Sequence, residues 1–178
     1  MSVFQSVERA AKERGLTFVV IGGLAVIEHG YSRLTTDFDI LVQRVQKESW
    51  HSLVLALGYE LIHEAQVFSQ YAARQGPNWP IDLMFVNEAT FERITAEAKP
   101  KTIGGAVLQL VSLEHLIALK LHALKHSNLR RFLKDFEDVM HLVQLNKIDL
   151  RSPTIRDLFL KYGNADLYEK VLYACEHE

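Results

Sequence analysis

The chain has 178 residues, 22 acidic and 20 basic side chains, a formal net charge of −2 and an apolar content of 48%. This profile is that of an ordinary globular protein, and it lacks the basic excess that would by itself announce a nucleic-acid partner. The single cysteine, Cys175, excludes an intramolecular disulfide and a cysteine-based metal site, and the sequence shows neither a signal peptide nor a membrane-spanning run. We therefore expect one soluble, cytoplasmic domain over residues 1–178, with no membrane contact and no DNA partner.

The first predicted elements are an amphipathic helix over residues 3–14 and a short strand that ends at a glycine pair. Residues 18–21 are β-branched and aromatic, and residues 24–29 have helical character, so Gly22 and Gly23 occupy a strand-to-helix junction. Glycine allows the backbone to approach a ligand closely, and the N–H groups at a helix start attract anions. We expect the phosphates of a nucleoside triphosphate to bind there.

The next predicted strand begins with two carboxylates. Residues 37–42 read DFDILV, and the apolar end of this run is typical of a strand buried on both faces. Because strand side chains alternate between faces, Asp37 and Asp39 are expected to project side by side. A cation between them would relieve their repulsion, and Mg²⁺ prefers such oxygen ligands when substrate phosphates complete its shell. The alternative is that either aspartate caps a turn.

A helix and three strands are predicted next, in the order helix 46–57, strand 59–63, strand 67–74 and strand 80–86. The last two strands form a hairpin around the turn QGPN. Asp82 is a lone charge at the start of the apolar returning strand. If that strand lies beside the one carrying Asp37 and Asp39, a shared cation compensates all three charges. The alternative is that Asp82 contacts water at an exposed strand end.

The arrangement of these motifs resembles that of a known superfamily. A Gly-Gly step followed by Asp-x-Asp and an apolar strand resembles the signature of the polymerase-β nucleotidyltransferases. The pattern RLTTDFDI, which contains Arg33 and Thr35, looks like the group of AbiEii-type toxins and related small bacterial nucleotidyltransferases. The resemblance implies that Asp37 and Asp39 hold divalent metal, that Asp82 completes a catalytic triad, and that the glycine pair, Arg33 and Thr35 bind the nucleotide.

The middle of the chain is predicted to form a helix over 87–98, a glycine-centred hairpin over 101–111 without chemistry, and a helix over 112–127. Lys120 falls on the apolar face of that last helix, where a charged head must reach solvent or meet an anion. We expect a nucleotide phosphate to be that anion, and a salt bridge to an internal carboxylate is the alternative. A lysine at this place also resembles the AbiEii group.

Three histidines lie on the polar face of the same helix: His115, His122 and His126. Their spacing makes a zinc site geometrically conceivable. The sequence has no His-Glu-x-x-His pattern and no cysteine nearby, so a solvated helix face is favoured over a zinc site.

The next predicted helix covers residues 128–145 and has an apolar stripe formed by Phe132, Phe136, Val139, Met140 and Val143. Asp135 lies at the edge of this stripe, beside Arg131 and Asp138. Arg131 with Asp135 and Lys134 with Asp138 have the four-residue spacing of ordinary surface ion pairs, which would explain all four residues. The run RxxKDxxD nevertheless resembles a helical motif of the family in which Lys134 and Asp135 border the nucleotide pocket. Two further helices are expected, one from Ser152-Pro153 to Gly163 and one over 165–175.

The resemblance implies an α/β nucleotidyltransferase fold with a mixed sheet and flanking helices in residues 1–111, followed by a helical half in residues 112–178. The implied reaction moves a nucleoside monophosphate from an NTP such as ATP to an acceptor hydroxyl, with Mg²⁺ or Mn²⁺ as cofactor. The acceptor is tRNA, a protein or a small molecule. A role in a toxin–antitoxin or abortive-infection system, with a cognate antitoxin or toxin as partner, is the family-level expectation.

Two other classes of function compete with the enzyme. A noncatalytic antitoxin or regulatory module would keep the fold and bind nucleotide or partner without turnover. The three carboxylates argue against that class, because a decayed site should lose at least one costly acid. A metal-dependent hydrolase lacks an identifiable water-activating base beyond the same carboxylates.

Overall fold

The computed structural model describes residues 1–76, 78–125 and 129–177. The helices are α1 (Val3–Glu13), α2 (Gly22–Glu28), α3 (Lys47–Ala56), α4 (Glu88–Glu97), α5 (Leu113–Leu124), α6 (Leu129–Leu145), α7 (Pro153–Tyr162) and α8 (Ala165–His177). The strands are β1 (Val19–Val20), β2 (Phe38–Gln43), β3 (Tyr59–Glu64), β4 (Phe68–Ala73), β5 (Ile81–Val86), β6 (Lys99–Ile103) and β7 (Ala106–Leu110). Pro77 of the predicted turn, His126, and the predicted helix limits at Ser127 and Asn128 lie outside the described residues.

The chain divides into two compact units. The first unit comprises Met1–Ala25 and Leu34–Ser112 and contains all strands of the sheet. The second unit comprises Val26–Arg33 and Leu113–Glu178 and is helical. Residues 26–33 therefore belong to the helical unit, although residues 34–112, which contain most of the strands, lie between them and the rest of that unit in the sequence.

The first unit is built on a seven-stranded sheet in the order β3-β4-β5-β2-β1-β7-β6. The pairs β2/β5 and β1/β7 are parallel, and the other pairs are antiparallel. The predicted mixed sheet is thus confirmed. The apolar run of β2, Ile40 to Val42, is completely buried, as expected for a strand with neighbours on both sides.

One face of the central strands is covered by helices of the same unit. Phe38 of β2 meets Phe4 of α1 edge-to-face, with ring centroids 4.9 Å apart, and Trp50 of α3 contacts Phe18 at 5.6 Å in the same manner. Because side chains alternate along a strand, Phe38 points toward α1, and Asp39 therefore points to the opposite face. This alternation keeps the Asp39 carboxylate away from the aromatic face that α1 covers.

Polar side chains cap the starts of three helices. Ser2 caps α1 in a capping box with Gln5, and Asn87 and Ser152 cap α4 and α7 with their side chains. The helix predicted over 87–98 agrees with α4, which is capped by Asn87 and Ala98, and Pro100 follows it as part of β6. As a member of an edge strand, Pro100 does not need to donate a backbone hydrogen bond on its open side.

In the second unit, α6 shows a buried face that differs from the predicted one. Val139, Met140 and Val143 are buried as expected, but Phe132 and Phe136 are only half-buried. The buried face instead includes the carboxylates of Asp135 and Asp138. In the described part of the chain, no helix has both the length and the apolar character needed to cross a membrane.

Candidate active site

Two of the three predicted carboxylates are direct neighbours in the sheet. Asp39 of β2 and Asp82 of β5 are Cα partners in the parallel pair of strands. Neighbouring strands lie about 4.7–4.9 Å apart, and partners in register project to the same face of the sheet. Both residues are half-buried. The predicted placement of the strand carrying Asp82 beside the strand carrying Asp39 is therefore confirmed.

Asp37 lies just before β2, which begins at Phe38. The prediction that Asp37 and Asp39 project side by side assumed that both residues are part of the strand. Because Asp37 precedes the strand, its position is set by the loop before β2. Its carboxylate accepts a hydrogen bond from the hydroxyl of Thr36 at 3.4 Å. Thr35, which was predicted to contact nucleotide, is half-exposed in the same loop.

The glycine pair lies directly against Asp39. The N–H of Gly23 donates to Oδ2 of Asp39 at 3.3 Å. Gly22 has φ +64, and a Cβ at this residue would lie 2.0 Å from the same carboxylate oxygen. Glycine is thus required at position 22 both by the left-handed backbone and by the close approach of the Asp39 side chain. The pair supports a carboxylate, and phosphate binding by Gly22 and Gly23 stays a prediction.

Replacing Gly22 with alanine is expected to destabilise the protein more than the same change at Gly15. Gly15 has a similar φ of +65, but a Cβ added there would have no atom within 4 Å, so Gly15→Ala isolates the backbone strain of about 1–2 kcal/mol. Gly22→Ala adds a clash with Asp39, and overpacking costs roughly a further 1–3 kcal/mol. Urea unfolding of both variants measures the difference. Equal losses in the two variants would show that Asp39 moves away without cost.

A residue that the sequence analysis missed completes this row of side chains. Gln70 of β4 is the Cα partner of Asp82 in the antiparallel pair, and its Nε2 donates to Oδ2 of Asp82 at 2.9 Å. Asp82 therefore lies between an amide on one neighbouring strand and Asp39 on the other. The sequence signal is weak, because Gln70 is one of two adjacent polar residues, with Ser69, in the middle of the predicted strand 67–74.

The donor set of Asp39 and Asp82 suits a hard cation. Mg²⁺ is commonly held by one or two carboxylates, while water and substrate phosphates fill its remaining positions. Among the described residues, no group of three or more histidine, cysteine, aspartate and glutamate side chains is arranged to hold a metal ion. Asp39 and Asp82 supply the one or two carboxylates that Mg²⁺ commonly uses. A set of three carboxylates that includes Asp37 stays a prediction.

The second unit contains a buried cluster of charges. Arg33 donates from Nε and Nη2 to the two carboxylate oxygens of Asp138, at 2.6 and 2.8 Å. Nζ of Lys120 lies 2.6 Å from Oδ1 of Asp135 and 2.7 Å from Oδ2 of Asp138. Side-chain exposure is 13% for Arg33, 11% for Lys120, 7% for Asp135 and 0% for Asp138. The charges of two cationic and two anionic side chains thus compensate each other where little water reaches them.

This cluster contains one of the two interactions that the sequence analysis weighed for Lys120. The salt bridge to an internal carboxylate, which was the alternative, is what the structure contains. The surface ion pair predicted between Lys134 and Asp138 is wrong, because Asp138 is fully buried and paired with Arg33 and Lys120. Lys134 itself is exposed. The nucleotide contacts proposed for Arg33, Lys120, Lys134 and Asp135 stay predictions.

A second set of contacts ties the segment before Arg33 to α6. The hydroxyl of Tyr31 donates to Glu137 at 2.7 Å, and the ring of Tyr31 stacks on His141 with centroids 4.0 Å apart. The hydrogen bond to the Glu137 carboxylate raises the pKa of Tyr31 to about 12, because ionisation of the phenol would lose this bond and bring two anions together. Asn146 adds a hydrogen bond to the carbonyl of His29 at 3.0 Å.

The other side chains that the sequence analysis named are His115, His122 and Arg131. On α5, His122 is exposed and His115 is half-buried, and neither belongs to a metal-binding group among the described residues. Arg131 is exposed, and its Nε lies 3.7 Å from Oδ2 of Asp135. The predicted pair is therefore present, but it is not an ordinary surface pair, because Asp135 is buried and also pairs with Lys120.

A family model described as "Nucleotidyl transferase of unknown function (DUF2204)" matches residues 2–170. No curated protein sequence matches the chain.

Several solved structures share the fold. The structure of ANT(2″)-Ia in complex with adenylyl-2″-tobramycin has 17% identity and a TM-score of 0.64, covering 89% of this chain and 93% of that chain. An antigenic nucleotidyltransferase-like protein from Paracoccidioides brasiliensis has 16% identity and a TM-score of 0.59, covering 97% and 91%. Lincomycin-bound LnuA, a lincosamide antibiotic adenylyltransferase, has 14% identity and a TM-score of 0.55, covering 79% and 96%. At these identities the similarity shows the fold, and the expected nucleotidyltransferase fold is confirmed.

Proposed function

The chain belongs to this family of nucleotidyl transferases, and on that premise we propose that it moves a nucleoside monophosphate from a nucleoside triphosphate to an acceptor hydroxyl with the help of a divalent cation. The nucleotidyltransferase class follows from the family. The metal requirement, the donor and the acceptor are the proposed parts. One observation carries the proposal: Asp39 and Asp82 are in register on adjacent parallel strands, and Asp39 rests against a glycine that admits no side chain.

The residues of this row have distinct tasks in the proposed reaction. Asp39 and Asp82 would hold Mg²⁺ or Mn²⁺, which, when bound, supplies positive charge that stabilises the phosphoryl oxygens during displacement. Asp37 would be a further ligand. Gly23 fixes Oδ2 of Asp39 through its backbone N–H, so that this carboxylate is oriented before substrate arrives.

The chemical step is an in-line displacement at the α-phosphorus. The oxygen of the acceptor hydroxyl forms a bond to the α-phosphorus, and the bond from the α-phosphorus to the bridging oxygen breaks, so that pyrophosphate leaves. Asp82 would accept the proton of the acceptor hydroxyl, which is the role of a carboxylate base within hydrogen-bond reach. One phosphoanhydride bond is thus exchanged for one phosphoester bond.

The donor and the acceptor are chosen from the comparisons and the motif. Two neighbours are named for adenylyl chemistry, one in complex with adenylyl-2″-tobramycin and one as a lincosamide adenylyltransferase. We therefore propose ATP as the first donor to test and a hydroxyl-bearing small molecule as the first acceptor class. A tRNA or protein acceptor, and a toxin–antitoxin setting with a cognate partner, rest on the RLTTDFDI motif alone.

The proposal is tested with the purified full chain, each labelled nucleoside triphosphate, and Mg²⁺ or Mn²⁺. The acceptor panel contains aminoglycosides, lincosamides, total tRNA and cell lysate. We expect label transfer and pyrophosphate release with metal, and neither after chelation with EDTA, because without the cation the ionised carboxylates repel the triphosphate. Nucleotide binding without pyrophosphate release across the whole panel would contradict the proposal and favour the noncatalytic module. Pyrophosphate release without labelled acceptor would favour the hydrolase.

A further inference from the structure

We infer that Gln70 is a positioning residue for Asp82: its amide holds the carboxylate in the orientation that binds the cation. This inference rests on the proposed function, since it assigns a task to a residue next to the proposed site. The sequence motif assigns only aspartates on β2 and β5 to the site, and this inference adds an amide from a third strand, β4.

The geometry is that of a continuous row across three adjacent strands. Gln70, Asp82 and Asp39 are successive Cα partners on β4, β5 and β2. All three are half-buried, and partners in register face the same side of the sheet. The Nε2 atom of Gln70 is 2.9 Å from Oδ2 of Asp82, which is a normal length for an N–H···O hydrogen bond.

The amide of Gln70 is neutral, and this property explains how it can hold Asp82 without displacing a cation. Asp39 and Asp82 repel each other when both are ionised, and the repulsion favours rotation of the Asp82 carboxylate away from its neighbour. A hydrogen bond to Oδ2 restricts that rotation without adding charge. A lysine or arginine at position 70 would neutralise Asp82 and compete with the cation. A neutral amide donor therefore suits a carboxylate that must stay available to metal, as partners of metal ligands generally do.

The test compares two isosteric substitutions on the same face of the sheet. Gln70→Met keeps the length of the side chain and removes the donor. Gln43→Met is the matched control, because Gln43 of β2 alternates onto the face of Asp39 and is the Cα partner of Val86 rather than of a carboxylate. Gln70→Glu is a second isosteric variant that removes the donor and adds a like charge.

Two measurements are made on each variant. Mn²⁺ affinity is followed by electron paramagnetic resonance of the free ion in the absence of nucleotide. Steady-state transfer then gives kcat, KM for the nucleoside triphosphate and the half-saturating Mg²⁺ concentration. We expect Gln70→Met to weaken metal binding or lower kcat by about 10–100-fold, with KM for the triphosphate changed less than about twofold. Gln70→Glu should lower metal affinity or kcat further than Gln70→Met does. Gln43→Met should match the wild type in metal affinity, kcat and KM.

The outcomes separate this inference from the proposed function. If wild-type protein binds Mn²⁺ and transfers nucleotide, and Gln70→Met matches Gln43→Met, the inference is overturned while the proposed function stands. If wild-type protein neither binds Mn²⁺ nor transfers nucleotide, both are overturned. A shared loss in Gln70→Met and Gln43→Met, accompanied by equal falls in thermal unfolding temperature, would indicate a general packing role and also overturn the inference.

Discussion

Replacing Asp82 or Asp39 with asparagine is expected to lower nucleotide transfer by roughly 10³-fold. Each change removes one negative charge from the in-register pair while keeping the size of the side chain. A bound metal stabilises the charge of such a transition state by several kcal/mol, and each 1.4 kcal/mol corresponds to about a factor of ten in rate. The loss should appear in kcat and in the half-saturating Mg²⁺ concentration, measured by pyrophosphate release.

The control for these variants is Asp157→Asn, which removes one charge from an exposed position on α7. It should leave transfer unchanged. The variant Asp37→Asn addresses the third predicted ligand separately, because Asp37 precedes β2 and is held by its loop. A comparable loss in Asp37→Asn would support three ligands, and wild-type activity would reduce the set to Asp39 and Asp82. Retention of more than about a tenth of the activity in Asp82→Asn would contradict the role of the pair.

Replacing Asp138 with asparagine is expected to lower the free energy of unfolding by about 3–5 kcal/mol. Asp138 is fully buried and compensates both Arg33 and Lys120. Asparagine has the same size, so the change removes charge without leaving a cavity. Removing one partner of a buried ion pair is costly because the remaining charge stays out of water without compensation. Urea unfolding of the full chain, followed by circular dichroism, measures the effect.

Two comparisons test the physical reason for that loss. Glu13→Gln breaks an exposed ion pair with Arg9, and it should change the unfolding free energy by no more than about 0.5–1 kcal/mol. The double variant Arg33→Met with Asp138→Leu leaves Lys120 paired with Asp135, so charge balance is restored. It should be more stable than Asp138→Asn, because apolar replacement of a buried ion pair is often neutral. A double variant that is less stable than Asp138→Asn would show that specific hydrogen bonds, rather than charge balance, dominate.

Much of the fold could be predicted because the signals are local. The apolar run after Asp39 indicates a central strand, and that strand is buried between β5 and β1. Caps at Ser2, Asn87 and Ser152 fix where helices start through hydrogen bonds within a few residues. The hairpin that returns β5 beside β4 likewise follows from its turn.

The errors arose where a local pattern admits more than one partner. Along α6, helical periodicity correctly groups Asp135 and Asp138 near Val139, but it does not indicate which side meets a cation-bearing neighbour. The four-residue spacing of Lys134 and Asp138 suits a surface pair. Asp138 instead meets Arg33, which is far away in sequence, and Lys120 on α5. The two hydrogen bonds from the Arg33 guanidinium bind the Asp138 carboxylate more strongly than a single exposed lysine, Lys134, one helical turn away would.

The sequence by itself indicated most of the helices and strands, the strand-to-helix glycine junction, and Asp37, Asp39 and Asp82 as candidate site residues. Tertiary structure alone decided that Asp82 is in register with Asp39, that Gln70 holds it, and that Lys120 is paired with carboxylates. Periodicity depends on the backbone geometry of one segment, so it specifies which side chains share a face. Register and charge pairing depend on which distant segments pack together, and that choice is made by the free energy of the whole fold.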